Sequence, residues 1–312
     1  MEKTTTIQVI KESNPKIEIR KPAKKTVLLC FNGFQNSDTH DALPMADYFQ
    51  KAFKGESDFD VVPVRLFSPS EKKTHHPRYF EKEARKAIEK YHALGYDVAL
   101  MGYSFSCSLA CKMQAKYPFI HRMILAAPIY DTILRNMIPH YIRYAMKFAK
   151  LKKKYGSRVS KVMGRQTTKG MIGLLLSIMN SILQDRKYIR KVKDCDVLLL
   201  WGEEDLLCTE HSVTKFKDLL SCEKMLYRYP TLDHCLIKSL RDDGAVYEDV
   251  FHFVFGTPYK IEKSTLSVSP STHRRVRVKY DEDGEPIPTF AEIFSSMDPE
   301  GDRVTFAEQK DI

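Results

Sequence analysis

A chain of 312 residues is long enough for one large α/β domain with a substantial core. Its 50 Lys and Arg against 40 Asp and Glu give a net charge of +10, but no aromatic-interleaved basic pattern or known module accompanies the excess, which argues against a nucleic-acid partner. Seven cysteines are scattered without paired metal-ligand spacing, and the most apolar segment, 170–183, is interrupted by Ser177, Asn180 and Ser181 and falls short of the roughly 20 residues of a bilayer span, so zinc binding and membrane crossing are both disfavoured.

Taken in chain order, strand-like runs are expected at 5–11 and 15–20, flanking polar turns in the manner of an antiparallel edge. Thr26 to Phe31 is an apolar run that ends in Asn32, Gly33 and Phe34. A helix near 40–54, a strand at 61–66 and a helix near 78–94 follow, then a strand at 97–103, a helix near 105–117 and a strand at 122–128. Asp196 to Trp201 is a short apolar run of the kind that burial on both faces produces, and Gly-Glu-Glu-Asp, ending at Asp205, comes after it. A helix near 209–220, an alternating strand at 223–229 and a helix near 243–255 complete the series. Strands and helices alternate in the way that yields a parallel sheet, and there is no internal repeat.

The run from Val98 to Ser106 carries the chemistry. A buried-strand pattern breaks at Gly102-Tyr103-Ser104-Phe105-Ser106 into a turn that opens a helix. A nucleophile elbow holds its serine in a strained backbone conformation that lifts the hydroxyl clear of the sheet, and the residues two before and two after must be small. Gly102 and Ser106 satisfy that, although the usual last position is glycine. Because serine is also a favoured helix cap, the turn alone fits an ordinary strand-to-helix junction equally well. Downstream, Asp205 follows one strand end and His234 follows the next, after Pro230-Thr231-Leu232-Asp233. The order Ser104, Asp205, His234 is neither the chymotrypsin nor the subtilisin order.

With these motifs the chain resembles the α/β-hydrolase superfamily over roughly residues 5 to 255, and within it the lipase, esterase and thioesterase group. A weaker resemblance extends to the luciferase-associated acyl-transferases and thioesterases of luminous bacteria, which share the Ser-x-Ser turn and carry an extension. The superfamily implies an α/β-hydrolase fold, with a mostly parallel central sheet, helices on both faces and a helical cap insertion. It implies catalytic roles for Ser104, Asp205 and His234, and an oxyanion hole made by the backbone N–H groups of Phe34 and Phe105. Asn32 stands where the family often has histidine, which matters little to a hole built of backbone donors. The implied activity is acyl transfer from an acyl ester or thioester through a covalent intermediate, with no metal or organic cofactor. A catalytically silent fold used as a binding module is the competing expectation, and an intact Ser, Asp and His set argues against it.

The expected divisions are a core at 1–128 and 194–258, a basic helical cap at 129–193 and a carboxy-terminal extension at 259–312. Between Asp131 and Lys193 there are 16 Lys and Arg against 2 Asp and Glu. A basic amphipathic cap fits an anionic membrane surface, an acidic acyl carrier protein, an anionic substrate or a merely solvated face. In the extension, Asp281, Asp283, Glu285 and Glu292 loosely match a calcium loop, but Pro286 occupies the place that needs glycine. The amino terminus shows no signal-peptide-type stretch, and Cys107 and Cys111, four apart on one helix, read as buried thiols, so a reducing cytoplasm is the expected location.

Overall fold

A computed structural model describes residues 9–19, 22, 25–34, 40–52, 59–130, 169–205, 207–237 and 245–256. All of them belong to one compact unit, Met1–Ile138 with Lys169–Ser267. Most of the expected cap and all of the expected extension lie outside the described residues.

Among these residues the strands are β1 (Ile10–Glu12), β2 (Thr26–Phe31), β3 (Phe59–Val64), β4 (Asp97–Tyr103), β5 (Arg122–Ala126), β6 (Asp196–Gly202) and β7 (Lys224–Tyr229), in the sheet order β1-β7-β6-β5-β4-β2-β3. Every pairing is parallel except β1 with β7. Parallel strands need crossover connections that lay helices on the sheet, so the central strands lose both faces to packing. All six residues of β2 are buried, as are all but the first residue of β4, β5 and β6. Ser104, Asp205 and His234 follow the carboxyl ends of the parallel strands β4, β6 and β7.

Of the first expected strand, 5–11, only residues 9–11 are described, where β1 runs Ile10–Glu12, and the second, at 15–20, does not form across residues 15–19. Asn14 decides this locally. Its side-chain oxygen accepts the Lys16 N–H at 3.0 Å and its carbonyl accepts the Ile17 N–H at 3.0 Å, closing a turn, while its amide nitrogen reaches Glu223 at 2.7 Å. β3 lies two residues earlier than expected because the Leu66 N–H goes to the Asn32 side chain, at 2.8 Å, instead of to a ladder. β5 stops at Ala126 because Ala127 turns to a positive φ of 48° while its N–H bonds Leu200.

The helices are α1 (Leu43–Ala52), α2 (Pro77–Ala93), α3 (Ser106–Lys116), α4 (Lys169–Asp185), α5 (Glu210–Leu219) and α6 (Ala245–Phe255). α2 starts where His76 caps the Arg78 N–H and Pro77 supplies a ready-made helical φ. α4 buries Leu174, Ile178 and Ile182 at helical spacing in the common core, leaving Leu176 and Leu183 exposed. Each fully buried aliphatic side chain contributes about 1.5–3 kcal/mol. A 3-10 turn, Arg186–Lys191, follows, and Arg186, Lys187, Arg190, Lys191 and Lys193 point to solvent. No helix among the described residues is long and apolar enough to cross a membrane.

α2, α3 and α4 are joined by charge as well as by packing. Lys112 Nζ lies 2.8 Å from Asp185 and 2.9 Å from Glu81, Lys116 also pairs with Glu81, and Ser181 donates to Asp185 at 3.1 Å. Burial pushes the Asp185 carboxyl up, and Lys112 works against that. Burial also opposes the charge on Lys112, but Asp185 and Glu81 together outweigh it and hold the ammonium above its ordinary range. Taking away one member leaves the other charge buried without its partner, which costs about 3–5 kcal/mol. Lys112→Met should therefore lower the unfolding free energy by roughly that amount, and adding Asp185→Leu should restore most of it. Urea denaturation midpoints of the two variants check this, and a double variant no better than the single one would count against the account.

Candidate active site

The turn between β4 and α3 begins with a steric constraint. A Cβ on Gly102 would fall 2.7 Å from Cys107 Cα and 2.9 Å from the Ser106 carbonyl oxygen, both backbone atoms of the helix start, so only glycine lets the helix come this close to the strand. Ser104 takes φ = 59°, the left-handed region that costs a side-chain-bearing residue about 1–3 kcal/mol. Its N–H bonds the Ala126 carbonyl at 2.8 Å and its own carbonyl accepts the Cys107 N–H at 3.3 Å. Those two bonds hold the strained residue at the end of the sheet.

Ser106 does more than stay small. Its hydroxyl accepts the Tyr103 N–H at 2.9 Å and lies 3.0 Å from the Tyr103 carbonyl and 3.3 Å from that of Phe31, where it donates. It therefore tacks the end of β2 to the end of β4 in a site fully removed from water. A glycine here would leave those backbone groups without this partner.

Ser104, His234 and Asp205 meet in one hydrogen-bonded chain. The Ser104 hydroxyl is 3.0 Å from His234 Nε2, and His234 Nδ1 is 2.7 Å from Asp205 Oδ2. The other carboxylate oxygen, Oδ1, accepts the Leu207 and Cys208 N–H groups, each at 2.8 Å. An acceptor already holding two backbone donors cannot rotate away from the imidazole. With a carboxylate on Nδ1, that nitrogen carries the proton and Nε2 faces the serine as an acceptor.

The acid turn and the histidine turn are built against each other. The Glu203 N–H bonds the Tyr229 carbonyl at 3.0 Å and the Glu204 N–H bonds the Leu232 carbonyl at 3.1 Å. Gly202 faces that same Leu232 carbonyl so closely that any side chain would collide with it. Glu203 and Glu204 are exposed, whereas Asp205 is buried, so their acidic neighbourhood resolves into two solvated residues and one aimed at His234.

At the end of β2, the Gly33 N–H donates to Asp41 Oδ2 at 2.9 Å, and Asn32 Nδ2 donates to the Gly33 carbonyl at 3.0 Å. The Gly33 carbonyl and the Phe34 N–H belong to one planar peptide and point in opposite directions. By holding the carbonyl, Asn32 sets the direction of the Phe34 N–H. The amide orientation of Asn32 is unambiguous, since its oxygen accepts the Leu66 N–H and its nitrogen meets a carbonyl. Asn32 and Asp41 are both buried; the motifs marked Asn32 only as standing where the family often has histidine, and they did not single out Asp41.

Among the described residues, no three His, Cys, Asp or Glu side chains are grouped so as to hold a metal ion. Cys107 and Cys111 are buried, and burial pushes both thiols well up, so they stay protonated.

Ser106→Ala should remove the partner of a buried N–H and cost about 1–3 kcal/mol of stability while leaving the Ser104 hydroxyl and its reactivity in place. Thermal unfolding and covalent labelling by a fluorophosphonate measure the two separately. Loss of labelling in a folded Ser106→Ala chain would mean that the reactive serine has been misassigned.

No protein-family model and no curated protein matches the chain. Solved structures do match it. One of the metagenome-derived lipolytic enzymes LipS and LipT is 12% identical, covering 81% of this chain and 99% of its own, with a TM-score of 0.54. A lipase-esterase related protein from Clostridium acetobutylicum is also 12% identical, covering 80% of this chain and 100% of its own, with a TM-score of 0.50. At such identity the likeness concerns architecture, and together with the strand order it establishes that the chain has the α/β-hydrolase fold.

Proposed function

We propose that this protein is a serine hydrolase of carboxylic acyl esters, working through an acyl-enzyme on Ser104. The observation that carries the reading is the chain of contacts from the Ser104 hydroxyl to His234 at 3.0 Å and from His234 to Asp205 at 2.7 Å. Its serine stands on a strained turn that offers the hydroxyl at the end of the sheet.

In the first half-reaction His234 Nε2 takes the hydroxyl proton as Ser104 Oγ attacks the substrate carbonyl. Asp205 remains ionised and stabilises the imidazolium that results. Negative charge then develops on the former carbonyl oxygen, and the backbone N–H groups of Phe34 and Phe105 are the proposed donors to it. Among the described residues no backbone carbonyl outside the helices and strands accepts either N–H. The protonated His234 returns its proton to the leaving group, which departs as the tetrahedral intermediate collapses. Water, activated by the same imidazole, releases the acyl group in the second half-reaction. A thioester can follow the same path, and the leaving group is then a thiol. The geometry favours a working site over a silent one, because a hydroxyl, an imidazole and a carboxylate in hydrogen-bonding sequence at the end of one sheet have no evident structural purpose together.

Ser104→Ala should abolish fluorophosphonate labelling and lower kcat by roughly 10⁵- to 10⁶-fold, with the fold intact, since the turn accepts a small side chain. Asp205→Asn should lower kcat about 10⁴-fold by turning the imidazole into the wrong tautomer. Turnover of a panel of soluble esters and thioesters, with the labelled residue mapped by mass spectrometry, checks both. A label on any other residue would sink the reading.

Asn32 supplies a separate test of the oxyanion assignment. An aspartate can still accept the Leu66 N–H but cannot donate to the Gly33 carbonyl. Asn32→Asp should therefore lower kcat, with KM little changed, by up to the roughly 10²- to 10³-fold that loss of one oxyanion donor costs. An unchanged kcat in the folded variant would remove Phe34 from the site.

A further inference from the structure

His234 lies in a segment, 230–237, that belongs to no helix or strand. Asp205 grips one ring nitrogen, and the other meets only the Ser104 hydroxyl whose proton it must take. Tyr103, the last residue of β4 and the neighbour of Ser104, adds two further contacts. Its hydroxyl donates to the His234 backbone carbonyl at 2.6 Å. Its ring lies alongside the imidazole with centroids 5.6 Å apart and planes 27° from parallel.

The same ring closes against the turn after β2. A Cβ on Gly33 would lie 2.6 Å from Tyr103 Cδ1, so the backbone there lies against the ring with no room for a side chain. Tyr103 is 2% exposed. Burial, with Cys235, Asp41, Asp205 and Asp233 adding to it, pushes its hydroxyl well above the ordinary tyrosine range, and the group stays a donor. Leucine or phenylalanine would fill a buried strand end, but only tyrosine also reaches a carbonyl across the site.

We propose that Tyr103 is a positioning residue for His234, its hydroxyl fixing the histidine turn and its ring limiting rotation of the imidazole. This rests on the reading of Ser104 and His234 as the acyl-transfer pair. The hydroxyl and the ring are separable. Tyr103→Phe removes the first and keeps the second, whereas Tyr103→Leu removes both. Tyr247 is the matched comparison, because its buried hydroxyl also donates to a backbone carbonyl, that of Ile237, at 3.0 Å.

The experiment measures kcat and KM for a soluble short-chain ester, the rate of fluorophosphonate labelling at Ser104 and the thermal midpoint of the native chain, Tyr103→Phe, Tyr103→Leu and Tyr247→Phe. Tyr103→Phe should lower kcat and the labelling rate about 10-fold with KM within twofold, and Tyr103→Leu about 100-fold, the size expected of a misplaced catalytic group. Tyr247→Phe should lose thermal stability to a similar degree as Tyr103→Phe but keep kcat within twofold. Equal losses of stability with kcat retained in both phenylalanine variants would reduce Tyr103 to core packing and overturn the proposal. So would an effect confined to KM. Should Tyr103→Leu not fold, the two phenylalanine variants alone decide the matter. A native chain that turns over esters without labelling at Ser104 would instead overturn the reading of Ser104 as the nucleophile, and the role of Tyr103 with it.

Discussion

Everything in the candidate site depends on one close approach between two backbones, the end of β4 and the first turn of α3. Where Gly102 faces Cys107 Cα with no room for a methyl group, the chain has no relaxed way to leave the strand and enter the helix. The strain falls on Ser104, whose φ of 59° is repaid by bonds to Ala126 and Cys107. A serine in a relaxed turn would fold back onto the helix as a cap. Here neither serine caps the helix: Ser106 commits its hydroxyl to the ends of β2 and β4, and that of Ser104 is left to His234. The two serines thus part company, Ser106 tying backbone together and Ser104 facing the imidazole.

From that fixed point the rest of the site is assembled by the sheet. Parallel strands deliver their carboxyl ends to the same side, so the turns after β2, β4, β6 and β7 come together although the residues are far apart in sequence. Asn32, Ser104, Asp205 and His234 each sit within five residues of such an end. The parallel sheet can hold them still because it is buried on both faces, and its interior lacks the slack that a half-solvated sheet would have.

How much of this was legible in the residues follows from the range of the forces involved. The apolar runs of β2, β4 and β6 announced themselves because burial leaves no charged residue beyond the first position of each. Ser104, Asp205 and His234 were legible as a spaced order after strand ends, and the structure brings them within hydrogen-bonding distance of one another. What was not legible is contact across the fold. No local pattern shows that Asn14 would close a turn and reach Glu223, so that no strand forms across residues 15–19. Nor could Asn32 be seen to bind both Leu66 and the Gly33 carbonyl, or Ser106 to span β2 and β4. Smallness was all that the motif asked of Ser106. Its hydroxyl proved to matter as much, and only its partners' positions reveal that.

The meeting of Gly202 with the Leu232 carbonyl has a consequence for how such a protein can be altered. Two turns that touch through main chain, with no side chain between them, share no adjustable part. Lengthening or replacing either one therefore displaces the other, and Asp205 and His234 shift as a pair. Loop exchange with another member of the fold would succeed only if the segment from Gly202 to Asp205 travelled together with that from Tyr229 to His234. The turn after β2, held by side chains such as Asn32 and Asp41, is the place where single substitutions can retune the site by small steps.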